Sequence, residues 1–168
     1  MVIHGKNIDI VLHSTIPDEV RRIAVMQEVA PNLTEKWTYP AGMPDEMIFV
    51  LTAGGEIAGQ ASLKSIRWFN RKAELSLFLH PKWQGKKLGT EVLRNLIAHA
   101  FFQLNFHRLE AEVIDYNQPA RHLVEKLGFV PEGRLREARY YNGKYCDILR
   151  YGLLRREYES RILKQESE

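Results

Sequence analysis

Residues 84–90, Gln-Gly-Lys-Lys-Leu-Gly-Thr, gather two glycines and two lysines where an apolar helical repeat begins. A helix N-terminus presents unpaired N–H groups and the positive end of a dipole, so this segment suits a phosphate. Gly85 and Gly89 let the main chain approach closely, and Lys86 and Lys87 add mobile positive charge. The segment lacks the G-x-x-x-x-G-K-[ST] pattern of nucleotide hydrolases, and no G-x-G-x-x-G follows a strand. A diphosphate without a metal-bound triphosphate is the expected ligand. Upstream lies Ala73-Glu74-Leu75-Ser76-Leu77-Phe78-Leu79. Period two sends Leu75, Leu77 and Leu79 toward a helix-covered core and Glu74, Ser76 and Phe78 into a cleft on the other face. From Glu74 to His80 such a strand runs about 20 Å.

These residues need elements to hold them. The spacing predicts strands over 8–12, 46–52, 56–68, 71–80 and 107–114, and a hairpin of two strands joined at Asn142-Gly143. Gly54-Gly55 and Asn142-Gly143 are two-residue hairpin signals. Helices are expected over 17–28, capped near Ser14 or Thr15, over 86–104, over 119–127 with Gly128 as a left-handed cap, and at the C-terminus. The 86–104 helix is marked by Leu88, Val92, Leu93, Leu96, Ile97, Ala100, Phe101 and Leu104 on one face. Strand, long helix, strand is a crossover, so strands 71–80 and 107–114 should run parallel. The other connections are hairpins, giving a mixed sheet covered by helices. Residues 30–45 read as a loop or short helices in which Trp37 and Tyr39 line a pocket.

The order strand, proline, then [RQ]-x-x-G-x-[GA] opening a long helix resembles the diphosphate motif of the GNAT superfamily of acyl-CoA N-acyltransferases. "VIDYNQPARHLVEKLGFVPEGRLRE" is similar to that family's second cofactor segment, and "YYNGKYCDILRYGLLRREY" to the C-terminal hairpin and helix of its ribosomal-protein-alanine N-acetyltransferase branch. The resemblance covers roughly residues 8–158. It implies an α/β fold: a mixed, mostly antiparallel sheet of about seven strands with one parallel, splayed pair, flanked by helices. Acetyl-CoA is the implied cosubstrate. Its diphosphate would be held by Gln84, Gly85, Lys86, Lys87, Leu88, Gly89 and Thr90. Its arm would pair with the backbone of Leu77 and Leu79, on either side of Phe78. Asn117, Ala120 and Lys126 fall in the second cofactor segment, where Asn117 either bonds the arm or caps the next helix. Lys87 stands where the middle glycine usually is, which implies backbone dihedrals there that suit a side chain.

Acetyl transfer needs a neutral amine, stabilisation of the carbonyl oxygen as it gains charge, and departure of the thiolate. The resemblance makes Glu74 the candidate base. An ordinary ion pair is an equal reading of it, and Glu110 and Glu112 compete for the role. The hydroxyls that relatives place three and seven residues after the asparagine are absent, since Ala120 and Val124 stand there. Tyr140, Tyr141 or a water could supply the proton, or the thiolate leaves without a specific acid.

Composition limits the rest. The 168 residues, 45% hydrophobic and 27% charged, read as one globular domain over 1–168. A formal net charge of +3, scattered rather than striped, does not argue for nucleic acid. No segment approaches a membrane span, no signal peptide is visible, and one cysteine fits a reducing cytoplasm. Six histidines show no zinc spacing, so no metal is expected. The acceptor is a small-molecule or peptide amine: a protein N-terminus, polyamine, aminoglycoside or amino sugar. A homodimer is as compatible as a monomer. A non-catalytic acyl-CoA-binding or sensor protein on the same fold is the alternative function, and a nucleotide-binding domain is a third.

Overall fold

A computed structural model describes residues 2–13 and 43–165. The expected 17–28 helix and the loop bearing Trp37 and Tyr39 lie outside the described residues. The strands are β1 (Val2–His4), β2 (Asp9–His13), β3 (Met47–Ala53), β4 (Glu56–Arg67), β5 (Lys72–Leu79), β6 (Arg108–Ile114), β7 (Val130–Tyr141) and β8 (Lys144–Leu154). The helices are α1 (Leu88–Phe102), α2 (Gln118–Leu127) and α3 (Arg155–Gln165), with a 3₁₀ turn at Pro81–Trp83.

All described strands join one eight-stranded sheet in the order β1-β2-β3-β4-β5-β6-β8-β7. To the seven strands expected the structure adds β1, three residues too short to show alternation, which pairs with β2. Every neighbouring pair is antiparallel except β5 and β6, joined through α1. Both glycine turns take the conformations their residues favour. Gly54 and Gly55 have φ 58° and 79°, and Asn142 and Gly143 have φ 48° and 78°. Two successive left-handed residues give the turn whose twist matches the flanking strands.

The core lies between α1 and one face of the sheet. Val92, Leu96, Ile97, Ala100 and Phe101 are fully buried against Phe49, Leu51, Leu63 and Leu109. Each of the larger of these side chains contributes about 1.5–3 kcal/mol relative to exposure. The first turn of α1 is tied to the β1–β2 turn as well. Glu91 accepts the backbone N–H of Asn7 at 2.7 Å and its side-chain amide at 2.8 Å. Burial pushes the Glu91 carboxyl up, but these bonds, with those from the Ile8 and Lys6 backbone, outweigh it and leave the group below its ordinary value.

The α2 helix is fixed by both caps and one buried phenol. The Asn117 side chain accepts from the Ala120 N–H at 3.2 Å, and Gly128 closes the helix at φ 100°. The hydroxyl of buried Tyr151 donates to Glu125 at 2.9 Å, pinning the helix to β8.

Candidate active site

The parallel register of β5 and β6 is short. Lys72 pairs with Arg108, Ala73 with Leu109, and Glu74 with Glu110, and there it ends. Beyond that point β5 continues to Leu79 and β6 to Ile114 as diverging arms. The closed end is held by charge. The Lys72 ammonium donates to Glu110 at 3.0 Å, and Arg108 Nε donates to the same carboxylate at 2.9 Å. Arg108 also pairs with Glu132 of β7, across a position where a Cβ on Gly152 would collide with both side chains. Burial alone would raise the Glu110 carboxyl, but Arg108 and Lys72 hold it below its ordinary value.

The open end is a cavity of about 420 Å³. One wall is β5 from Glu74 to Leu79, and the other is β6 from Ala111 to Ile114 with Asn117, Ala120 and Val124 of α2. Leaving β6, strand β5 exposes main-chain groups that a sheet neighbour would otherwise satisfy. An extended, amide-bearing ligand can take the vacated place as an added strand. The strand splay implied by the resemblance is present.

Gln84 lines the same cavity, and its side-chain amide donates to the Leu79 carbonyl at 2.8 Å, binding the loop to the end of β5. The first bond of α1 runs from the Glu91 N–H to the Lys87 carbonyl at 3.3 Å. The N–H groups of Leu88, Gly89 and Thr90 precede it and are those a helix start leaves without an intrahelical acceptor. Gly85 is left-handed at φ 73°, Lys87 is left-handed at φ 63°, and Lys86 between them is not. Alternating backbone handedness of this kind can turn successive N–H groups toward one side of a loop, as in anion-binding nests. A Cβ on Gly89 would come within 3.4 Å of both Leu77 and Leu123, so a small residue there keeps the helix mouth close to β5.

The expectation for Lys87 is corrected here. Its backbone is the left-handed one that a glycine accepts without penalty, and a side chain there costs about 1–2 kcal/mol. Its conformation also starts the helix at Leu88 rather than at the expected residue 86. The exposed Lys87 side chain makes no capping bond. Lys86 instead stacks on Trp83, its ammonium 4.6 Å from the ring centre.

At the other end, Glu74 faces the cavity and pairs with Lys64 of β4 at 2.9 Å. The ion pair expected of Glu74 is present, and the paired carboxylate also lines the cavity. Glu112 lines the cavity while paired with Arg150 at 2.8 Å. Glu110 belongs to the closed end. Ala120 and Val124 line the cavity and bring no hydroxyl to it. Tyr141 lines it too, whereas Tyr140 is exposed and packs edge-on against Tyr145. Lys126 is exposed in the last turn of α2 and is not among the lining residues. Three polar lining residues escaped the sequence reading. Tyr116 stands one position before Asn117, while Lys64 and Arg139 are brought in by strand pairing.

No group of three or more His, Cys, Asp or Glu side chains able to hold a metal occurs among the described residues. Among them no helix is long and apolar enough to cross a membrane.

A mixed, mostly antiparallel sheet with one splayed parallel pair and a long crossover helix opening beside it is the architecture of the acyl-CoA N-acyltransferase fold. The chain belongs to the acetyltransferase (GNAT) family, whose profile matches residues 17–129. It is 35% identical over 105 residues to "Putative ribosomal N-acetyltransferase YdaF" of Bacillus subtilis, covering 62% of this chain and 57% of that protein. It is 34% identical over 113 residues to the spermidine N(1)-acetyltransferase of Escherichia coli, covering 67% of this chain and 61% of that protein. The matches therefore span about three fifths of the length of these curated relatives. Mutant forms of the spermidine/spermine N-acetyltransferase SpeG of Vibrio cholerae superpose with a TM-score of 0.75 at 26% identity, over 90% of this chain and 98% of that one. SpeG solved in complex with CoA and spermine superposes at 0.74 with 24% identity, over 89% and 98% of the two chains, a likeness of fold.

Proposed function

We propose that this chain transfers the acetyl group of acetyl-CoA to a primary amine held in the same site. The observation that carries the proposal is the short β5–β6 register. It opens one continuous cavity from Gln84, which fastens the α1 loop, to Glu74.

The residues present fit the cosubstrate. The Gly85–Thr90 N–H groups and the two loop lysines are the donor set a diphosphate requires. The β5 edge at Leu77 and the Leu79 N–H, left without a β6 neighbour, suit a pantetheine amide chain, the Leu79 carbonyl being held by Gln84, and Asn117 stands at the far wall. Acetyl-CoA supplies an activated acyl group on a thioester. The chain supplies the rest. Glu74, kept at the cavity wall by Lys64, takes the ammonium proton directly or through water so that the amine can attack. Main-chain N–H groups of the unpaired β5 edge stabilise the carbonyl oxygen as it gains charge. The names of the relatives make polyamines the first acceptors to test and protein N-termini the second.

Calorimetric titration with acetyl-CoA, CoA and ATP is the first experiment, with binding of the first two expected. Thiol release is then followed with a panel of amines. No association with CoA would remove the proposal. Binding with no thiol release from any amine would instead favour an acyl-CoA-binding protein, the reading that Ala120 and Val124 support.

A further inference from the structure

An acceptor can use Glu74 as its base only if the attacking nitrogen comes within hydrogen-bond reach of that carboxylate. One primary amine already stands there. The Lys64 ammonium lies 2.9 Å from Glu74, and both side chains line the cavity. The register sets the pair: Lys64 of β4 faces Glu74 of β5, and the irregularity after Lys64 brings this residue, not Ser65, to that position. The pair is largely enclosed, with 29% of the lysine side chain and 18% of the glutamate side chain exposed. Among the described lysines, Lys64 alone lines the cavity. Lys72 is bonded to Glu110 at the closed end, Lys82 pairs with Glu56, Lys86 lies on Trp83, and Lys126 and Lys144 are exposed. To Glu74, the ammonium of Lys64 and that of an acceptor are the same chemical group.

We propose that Lys64 is an internal acceptor: with acetyl-CoA bound and no outside amine in the cavity, the chain acetylates its own Lys64 Nζ. This rests on the acetyl-transfer reading above. Glu74 takes one proton from the ammonium and passes it to solvent. The freed Nζ attacks the acetyl carbonyl, the C–N bond forms and the C–S bond breaks. A second nitrogen proton reaches sulfur through solvent, giving the amide and the thiol of CoA, and no further reagent is consumed. An amine fixed inside the cavity meets the donor at an effective concentration that surface amines do not have. The amide carries no charge, so the mark ends the Lys64–Glu74 ion pair and leaves an acetamide group beside the carboxylate.

The test incubates the whole chain with acetyl-CoA in a buffer free of primary amines and reads mass rather than turnover, first of the intact chain and then of its peptides. One acetyl group per chain is expected, on Lys64. It should enter at a rate independent of protein concentration and on the order of 10²-fold faster than at any exposed lysine. Lys64→Arg keeps a cation opposite Glu74 but offers no amine that can lose its proton. It should bind CoA in calorimetry and gain no fast acetyl group. Glu74→Gln should slow the mark by about 10²-fold. In the cofactor-free protein a small acetylating ester, N-acetoxysuccinimide, should mark the exposed lysines before the enclosed Lys64. Acetyl groups spread evenly over surface lysines, a rate that rises with protein concentration, or Lys64 marked first by the small ester would each overturn the inference. If Glu74→Gln fails to fold, Lys64→Arg and the ester comparison decide. A chain that binds CoA and releases thiol with an added amine while Lys64 stays unmarked takes down this inference alone. A chain that marks Lys64 but serves no added amine upholds it and removes the outside acceptor. No association with CoA takes down both.

Discussion

At the Gln84–Thr90 end of the cavity the candidate binding groups belong largely to the main chain, whereas at the Glu74 end they belong to side chains carried by four strands. The first end depends on a helix start, two left-handed residues and a small residue at 89. The second depends on strand pairing that sets Lys64 against Glu74. Main-chain sites bind, because N–H groups can hold charge but are far too weakly acidic to serve as general acids or bases at neutral pH. Side-chain sites can do both. The division predicts that damage at one end should spare the measurement that reports the other.

Glu74→Gln should have the largest effect, lowering kcat by about 10²–10³-fold while the acetyl-CoA affinity stays within twofold of wild type. Steady-state thiol release and calorimetry on the same sample check both halves, and a retained kcat would shift the base role to Glu112. Gly89→Val attacks the opposite end. Its branched side chain has no room against Leu77 and Leu123, and overpacking of about 1–3 kcal/mol should weaken CoA binding about tenfold or more. At saturating cosubstrate its kcat should recover, and a kcat that stays low would erase the distinction between the ends.

Glu91 probes the scaffold beneath the helix mouth. Its folded carboxyl lies below the unfolded value, so its contribution is present above the unfolded pKa of about 4.3 and is lost as pH falls through the folded one. Thermal melts should show Glu91→Gln a few degrees less stable than wild type at pH 7, with the gap closing at strongly acidic pH. A gap independent of pH would assign the loss to packing. The smallest effect is expected from Lys87→Gly. Relief of the left-handed backbone should raise Tm by ~2–4 °C for a gain of about 1 kcal/mol, readable by calorimetry. A fall in Tm would mean that the Lys87 side chain makes up for its strained backbone.

Much of the binding end was legible because its signals are local. Gly85, Gly89 and the apolar repeat after Leu88 are neighbours in sequence, and a helix start needs nothing from afar. Lys87 was the exception, since a lysine gives no sign that its φ is positive. The reacting end was legible only in part. Counting back from the 68–71 turn, where Arg67 faces Lys72, places Ser65 opposite Glu74. The irregularity between Lys64 and Arg67, with Ser65 at φ 51°, places Lys64 there instead. A one-residue shift of register moves a side chain to the other face, and no pattern in β4 announces it.

The sequence alone determined most of the described elements, the glycine turns and the crossover, because each follows from local periodicity or backbone freedom. Tertiary structure decided where β5 and β6 part, which cation meets Glu74, and that Tyr116 and Tyr141 share one wall. Those outcomes depend on register and on contacts between residues far apart in the chain, and such contacts form only when the whole sheet assembles.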